Sequence, residues 1–278
     1  MSGGHYENFP VASLLLPRAQ REPVGVIYRF ARSADDFADE GDTPAQERLA
    51  QLQEYRIELQ GIQARRTTVS PLFTDLARIV RERNLPLQPF YDLLDAFAQD
   101  VVKNRYAEYA EVLDYCRRSA NPIGRLVLGL FNEDSPENLR QSDCICSALQ
   151  LVNFWQDVRI DFETKDRIYL PQDEMRRFGV SEAHLRERRC DAAFRDLMRF
   201  QVERARSLML EGKPLVDRLA GRLRLEIALT VQGGLRILEK LERAGYDMFG
   251  HRPVLKALDW PLLFFKAIEK TSAAPRGS

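Results

Sequence analysis

The sequence predicts an all-α fold, a single helical bundle around a central cavity spanning residues 1–278. Three observations lead there. Apolar residues recur at helical spacing along most of the chain, no segment alternates apolar and polar in the manner of a half-buried strand, and the breaks fall at Pro or Gly without a linker long enough to separate domains. In order, the first helix carries the stretch from Val24 to Asp39 and ends between Gly41 and Pro44. Thr43-Pro44 then opens an amphipathic helix running to about Gln63, since proline is well placed at the start of a helix. Further helices are predicted to begin near Ser70, Pro86 and Glu108. Ser135-Pro136-Glu137-Asn138 opens a helix reaching about Thr164, and two long helices are predicted over 181–211 and 214–244.

One break falls inside a helical pattern. Ser119-Ala120-Asn121-Pro122-Ile123-Gly124 runs into Asn-Pro and then Gly, and proline removes a backbone donor while biasing Asn121 away from helical dihedrals, so a kink is predicted. The local pattern fits a plain helix boundary equally well.

Two acidic stretches carry the chemistry. Asp35-Asp36-Phe37-Ala38-Asp39 and Asp157-Val158-Arg159-Ile160-Asp161 each place two aspartates four residues apart within apolar helices. Tyr28, Arg32, Asp35 and Asp39 share one helix face, as do Gln150, Asn153, Asp157 and Asp161. The flanks are Val24, Ile27, Phe30, Ala31 and Phe37 in one case and Leu149, Leu151, Val152, Phe154 and Trp155 in the other, so each stripe reads as a polar seam facing the inside of a bundle. A single such motif is usually a solvated helix face; two on matching seams argue for a shared site. Carboxylates converging in a partly dry cavity repel one another unless protonated or neutralised by cations. With only oxygen donors on offer, Mg²⁺ or Mn²⁺ is favoured over zinc, and magnesium commonly shares phosphate oxygens with a substrate.

Other classes are disfavoured by the overall composition. Lys+Arg 41 against Asp+Glu 41 gives no net charge and no footprint for nucleic acid. Cys116, Cys144, Cys146 and Cys190 form no CxxC pair, and with no signal-peptide pattern a reducing cytosol is the expected setting. None of His5, His184 or His251 has a Glu three residues before it, which argues against a di-iron carboxylate bundle. No glycine-rich dinucleotide fingerprint occurs, and no nucleotide cofactor is expected. Trp260-Pro261-Leu262-Leu263-Phe264-Phe265 is a concentrated apolar patch that fits either core packing or a shallow peripheral contact at the inner face of a membrane.

The order Tyr28-x-x-x-Arg32-x-x-Asp35-Asp36-x-x-Asp39, Asp100, Arg105-Tyr106, Tyr115, Gln150-x-x-Asn153-x-x-x-Asp157-x-x-x-Asp161 and Arg167-x-Tyr169 resembles the squalene/phytoene synthase family over nearly the whole chain. The resemblance implies the isoprenoid synthase fold, with the acidic motifs on opposite walls of the cavity, and head-to-head joining of prenyl diphosphates with Mg²⁺. His5-Tyr6-Glu7-Asn8-Phe9-Pro10-Val11-Ala12-Ser13, the 119–124 kink, and His251-Arg252-Pro253 with Asp259-Trp260-Pro261 resemble the bacterial hydroxysqualene synthase branch, which converts presqualene diphosphate to an alcohol. Two departures from most relatives, Asn121-Pro122 within an Ala-Gly-x-x-Gly motif and Gln156 in place of an Arg, point to the same branch and away from condensation of farnesyl diphosphate.

The resemblance places Asp35, Asp39, Asp157, Asp161 and Asn153 around metal, and Asn8, Phe9, Arg32, Asp36, Gln150, Asn153, Phe154, Arg167 and Tyr169 around substrate. Arg32 and Arg167 suit phosphate oxygens, while the faces of Phe9, Tyr28, Tyr115 or Phe154 suit a carbocation, Tyr28 and Tyr115 most of all. Asn121 could hold a water with its amide, or serve simply as a turn residue. Handover of substrate from a presqualene diphosphate synthase is a further expectation. The non-enzymatic alternative is a binding protein like the respiratory-complex assembly factor that shares the fold; intact acidic pairs speak against it.

Overall fold

The computed structural model describes residues 16–39, 43–68, 70–250 and 252–269. Among them the chain forms α1 (Arg18–Asp39), α2 (Ala45–Gln63), α3 (Pro71–Glu82), α4 (Gln88–Val102), α5 (Tyr109–Ser119) and α6 (Asn121–Leu130). The order continues with α7 (Pro136–Lys165), α8 (Gln172–Arg177), α9 (Glu182–Arg186), α10 (Ala192–Gly212), α11 (Leu215–Arg218), α12 (Gly221–Arg243) and α13 (Asp259–Glu269). An isolated parallel bridge joins Arg105 and Ile168, so the all-α class holds.

α1 buries Val24, Ile27, Phe30, Ala34 and Ala38 at helical spacing. Phe30 meets Phe73 of α3 and Phe90 of α4 edge-on at 5.9 and 5.2 Å. Pro23 lies inside α1 and cannot donate to the Ala19 carbonyl four residues back. Arg83, just past α3, supplies the missing donor: its Nη2 reaches Ala19 O at 3.2 Å.

α7 is the central element. Ser135 caps it by accepting from Asn138 N at 3.3 Å, and Pro136 occupies its first turn, where a missing N–H costs nothing. It runs beside α10, where Gly212 is required because a Cβ there would sit 2.6 Å from Gln141 O. At its far end Asp166 adopts φ 48°, Asp166 N donates to Phe162 O at 3.1 Å, and Arg167 N donates to Asp161 O at 3.0 Å. That reversal sends Arg167–Tyr169 back alongside the helix that carries the second acidic motif.

Buried apolar residues fall into two clusters. One is built on α1–α3 with Phe90, Leu93, Leu94, Phe97, Leu126 and Leu130; the other is built on α5, α7, α10 and α12 with Ala96 and Leu128. α4 and α6 therefore contribute to both, and the two acidic helices belong to different clusters.

Two predicted helices are broken. The stretch 181–211 divides because the Ser181–His184 capping box starts the short α9, Arg188 takes φ 50°, and Asp191 Oδ1 accepts from Phe194 N at 3.0 Å to start α10 afresh. The stretch 214–244 divides at Leu219, an extended residue whose side chain is buried in the core. At the predicted kink the chain makes a helix boundary: Ala120 alone separates α5 from α6, Asn121 opens α6, and Pro122 lies in its first turn, where its missing N–H has no intrahelical partner to lose.

Candidate active site

On α1 the polar seam is half-buried. Arg32 Nη2 pairs with Asp36 Oδ1 at 2.7 Å and Nη1 lies 3.6 Å from Asp35 Oδ2, so the seam carries its own counter-ion within one helix turn. Tyr28 lies one turn earlier, also half-buried. Asp39 closes α1, and its side chain lies outside the described residues, as do Asn8, Phe9 and His251.

On α7 the seam residues Gln150, Asn153, Asp157 and Asp161 are half-buried while Leu151, Val152, Phe154, Trp155 and Val158 are packed inside. Arg252 clamps Asp157 with two bonds, Nε to Oδ1 and Nη2 to Oδ2, the latter at 2.8 Å. These bonds raise the Arg252 pKa despite its partial burial. The segment carrying Arg252 is tied to the same helix on either side. Gln156 Nε2 donates to Pro253 O, and Arg159 Nη1 donates to Phe249 O at 2.9 Å.

Beside the α7 seam lies an aromatic box. Phe154 and Tyr169 stack at 3.5 Å and 11°, Tyr115 lies 5.9 Å from Phe154 and 5.7 Å from Tyr169, and Tyr106 lies 5.4 Å from Tyr169. Asp100 organises it from the end of α4. Tyr115 OH donates to Asp100 Oδ2, Arg167 Nη2 donates to Asp100 O at 2.8 Å, and Arg167 Nη1 donates to Tyr169 OH at 3.1 Å. Burial, reinforced by the Asp100 charge, raises the pKa of Tyr115, Tyr169 and Tyr106 above the ordinary phenol range. The rings are therefore neutral, electron-rich faces near neutral pH. A cavity of about 10 Å³ beside them is lined by Phe154, Trp155, Asp161, Arg167 and Tyr169.

The structure thus gathers Tyr115, Phe154, Arg167 and Tyr169 into one cluster with Tyr106 and Asp100. Asn121 is not part of it: its buried Oδ1 accepts from Ser147 Oγ of α7 at 2.9 Å. Sequence reasoning assigned Arg252 and Asp100 no chemical role. Asp100 was visible only as a motif residue, and Arg252 only within His251-Arg252-Pro253.

A family model described as squalene/phytoene synthase matches residues 3–259. The chain belongs to that family. It is 34% identical over 263 residues to the hydroxysqualene synthase of Rhodopseudomonas palustris, covering 94% of this chain and 88% of that one. Among solved structures, the squalene synthase HpnC of Alicyclobacillus acidocaldarius superposes with TM-score 0.80 at 36% identity, over 87% of this chain and 90% of that one. A dehydrosqualene synthase superposes with TM-score 0.83 at 21% identity, over 94% of this chain and 90% of that one, a likeness of fold. The protein is therefore a squalene/phytoene synthase-family enzyme with the isoprenoid synthase fold, and head-to-head prenyl chemistry is the family's business.

Proposed function

We propose that this enzyme ionises presqualene diphosphate and directs water to the cation, giving hydroxysqualene and inorganic diphosphate. The observation that carries the reading is the box of neutral rings, Tyr106, Tyr115, Phe154 and Tyr169, whose Phe154 lies one turn from Asp157 on α7. Where an anionic leaving group departs at the acidic seam, the carbon chain next to it faces aromatic surfaces suited to positive charge. Similarity to a hydroxysqualene synthase across 94% of the chain selects the alcohol product.

The donor set suits Mg²⁺. Asp35 on α1 and Asp157 on α7 supply carboxylate oxygens, hard donors of the kind Mg²⁺ takes together with diphosphate oxygens and water. Asp35, Asp39, Asn153, Asp157 and Asp161 would hold it, and the metal would neutralise charge on the departing diphosphate. Arg32 and Arg252 would add donors to the phosphate oxygens, with Tyr28, Asp36 and Gln150 lining the same seams. Arg167 instead holds Asp100 and Tyr169, shaping the box. Because Asn121 Oδ1 is taken by Ser147, its Nδ2 is the group that would hold the attacking water.

Substrate would come from a condensing enzyme that joins two farnesyl units, and the protein would work in the cytoplasm. Incubating it separately with presqualene diphosphate and farnesyl diphosphate and identifying the lipids tests the reading. Presqualene diphosphate should be consumed far faster. Comparable turnover of farnesyl diphosphate alone would instead favour a squalene synthase that performs both steps, the reading that the Alicyclobacillus likeness supports.

A further inference from the structure

α13 is apolar on both sides. Its inner face is fixed by Leu263 and Ala267, each 1% exposed, and by the buried Asp259 carboxylate in its first turn. Asp259 Oδ1 accepts from Arg236 Nε at 2.8 Å, and Oδ2 accepts from Lys240 Nζ of α12 and from Lys256 N, the last at 2.7 Å. This ionic pin sets the rotation of the helix about its axis. The outer side cannot turn inward, and it presents Trp260, Leu262, Phe264 and Phe265 to solvent, with Leu258 just ahead at 90% exposure. Single exposed apolar residues are ordinary, but a contiguous face of five with two phenyl rings and an indole is not.

We propose that this face is a lipid-docking surface that enters the headgroup and acyl boundary of an anionic bilayer. Its dimensions favour lipid over a second copy of the chain. Eleven helical residues give a strip about 16 Å long and on the order of 200 Å² in area, against roughly 800 Å² per partner in a stable dimer. Its charges agree. Asp259 is consumed by Arg236 and Lys240, Lys256 is exposed at the rim, half-buried Lys266 lies 3.6 Å from Glu239, and in sequence Lys270 and Arg276 follow the helix with no acidic residue among 270–278. Basic residues beside an apolar helix face attract anionic headgroups, and an indole suits the interface itself. Resting on the proposed function, the surface also has a use: a thirty-carbon alcohol without charge leaves into lipid, not into water.

The test is co-sedimentation of the full chain with phosphatidylcholine/phosphatidylglycerol vesicles, wild type against Phe264→Ser/Phe265→Ser. The double variant should need about tenfold more lipid for half-maximal binding, the scale expected when two phenyl rings no longer enter the bilayer. Wild-type binding should weaken further with pure phosphatidylcholine. Turnover of detergent-dispersed presqualene diphosphate should be equal in both proteins, so loss of the proposed reaction would show separately from loss of docking. Equal vesicle binding by the two proteins, or no binding by the wild type, overturns the proposal. So does a wild-type dimer in sedimentation equilibrium that the double variant abolishes, which would assign the face to a second copy.

Discussion

Arg252 and Asp157 stand 95 residues apart in sequence and meet in a two-bonded ion pair on the face of α7 that carries the second acidic motif. The pair neutralises a carboxylate whose proposed partner is a divalent ion. Were that ion bound there, the guanidinium would be released to donate to the oxygens of the leaving diphosphate.

Arg252→Ala should therefore raise KM for presqualene diphosphate roughly ten- to a hundredfold, the weight of a charge-assisted bond to phosphate. Arg252→Lys should recover part of the loss but not the two-bonded geometry. Binding of Mg²⁺ to the substrate-free protein, followed by calorimetry, should tighten in Arg252→Ala, because Asp157 no longer has a competing cation. Unchanged values of both quantities would leave Arg252 a surface clamp for the 249–253 segment.

Asp157→Asn and Asp35→Asn should each lower kcat by about 10² to 10³ or more, while circular dichroism and melting stay close to wild type. Chelation with EDTA should abolish turnover, and added Mg²⁺ should restore it. Full activity in excess chelator would end the metal assignment.

Asn121→Ala should release diphosphate at nearly the wild-type rate but shift the product from alcohol toward alkenes formed by proton loss. In ¹⁸O-water the wild type should place the label in the hydroxyl. An unchanged product ratio in a folded variant would confine Asn121 to its bond with Ser147.

Acid should undock α13. Burial opposes ionisation of Asp259, but bonds from Lys240, Lys256 N and Arg236 outweigh it and hold its carboxyl well below the ordinary range. A depressed folded pKa contributes stability that is present above the unfolded value of about 4 and lost as pH falls below it. Trp260 emission should accordingly change between about pH 4 and pH 2, and Asp259→Asn should remove that transition.

Much of the fold was legible because each acidic motif lies on a seam that helical periodicity alone isolates. α7 opens at Pro136 and closes at Lys165, within a residue of its predicted bounds, since Ser135-Pro136 is a strong start signal. The break at Arg188–Asp191 escaped because it contains neither Pro nor Gly and a capping aspartate decides it; the break at Leu219 did carry a signal, Gly221 with φ 57° at the start of α12, which a continuous helical pattern on both sides masked. The acidic pairs were visible as local spacing. The Asp100–Tyr115–Arg167 lock and the Arg252–Asp157 clamp were not, because their partners lie 15, 67 and 95 residues apart and meet only through packing.

The buried residues of the two apolar clusters share only the helices α4 and α6. Small shifts of one cluster against the other across α4 and α6 would leave the packing inside each intact. Amide hydrogen exchange should then divide the protein into two cooperative units, α1–α3 opening separately from α7, α10 and α12.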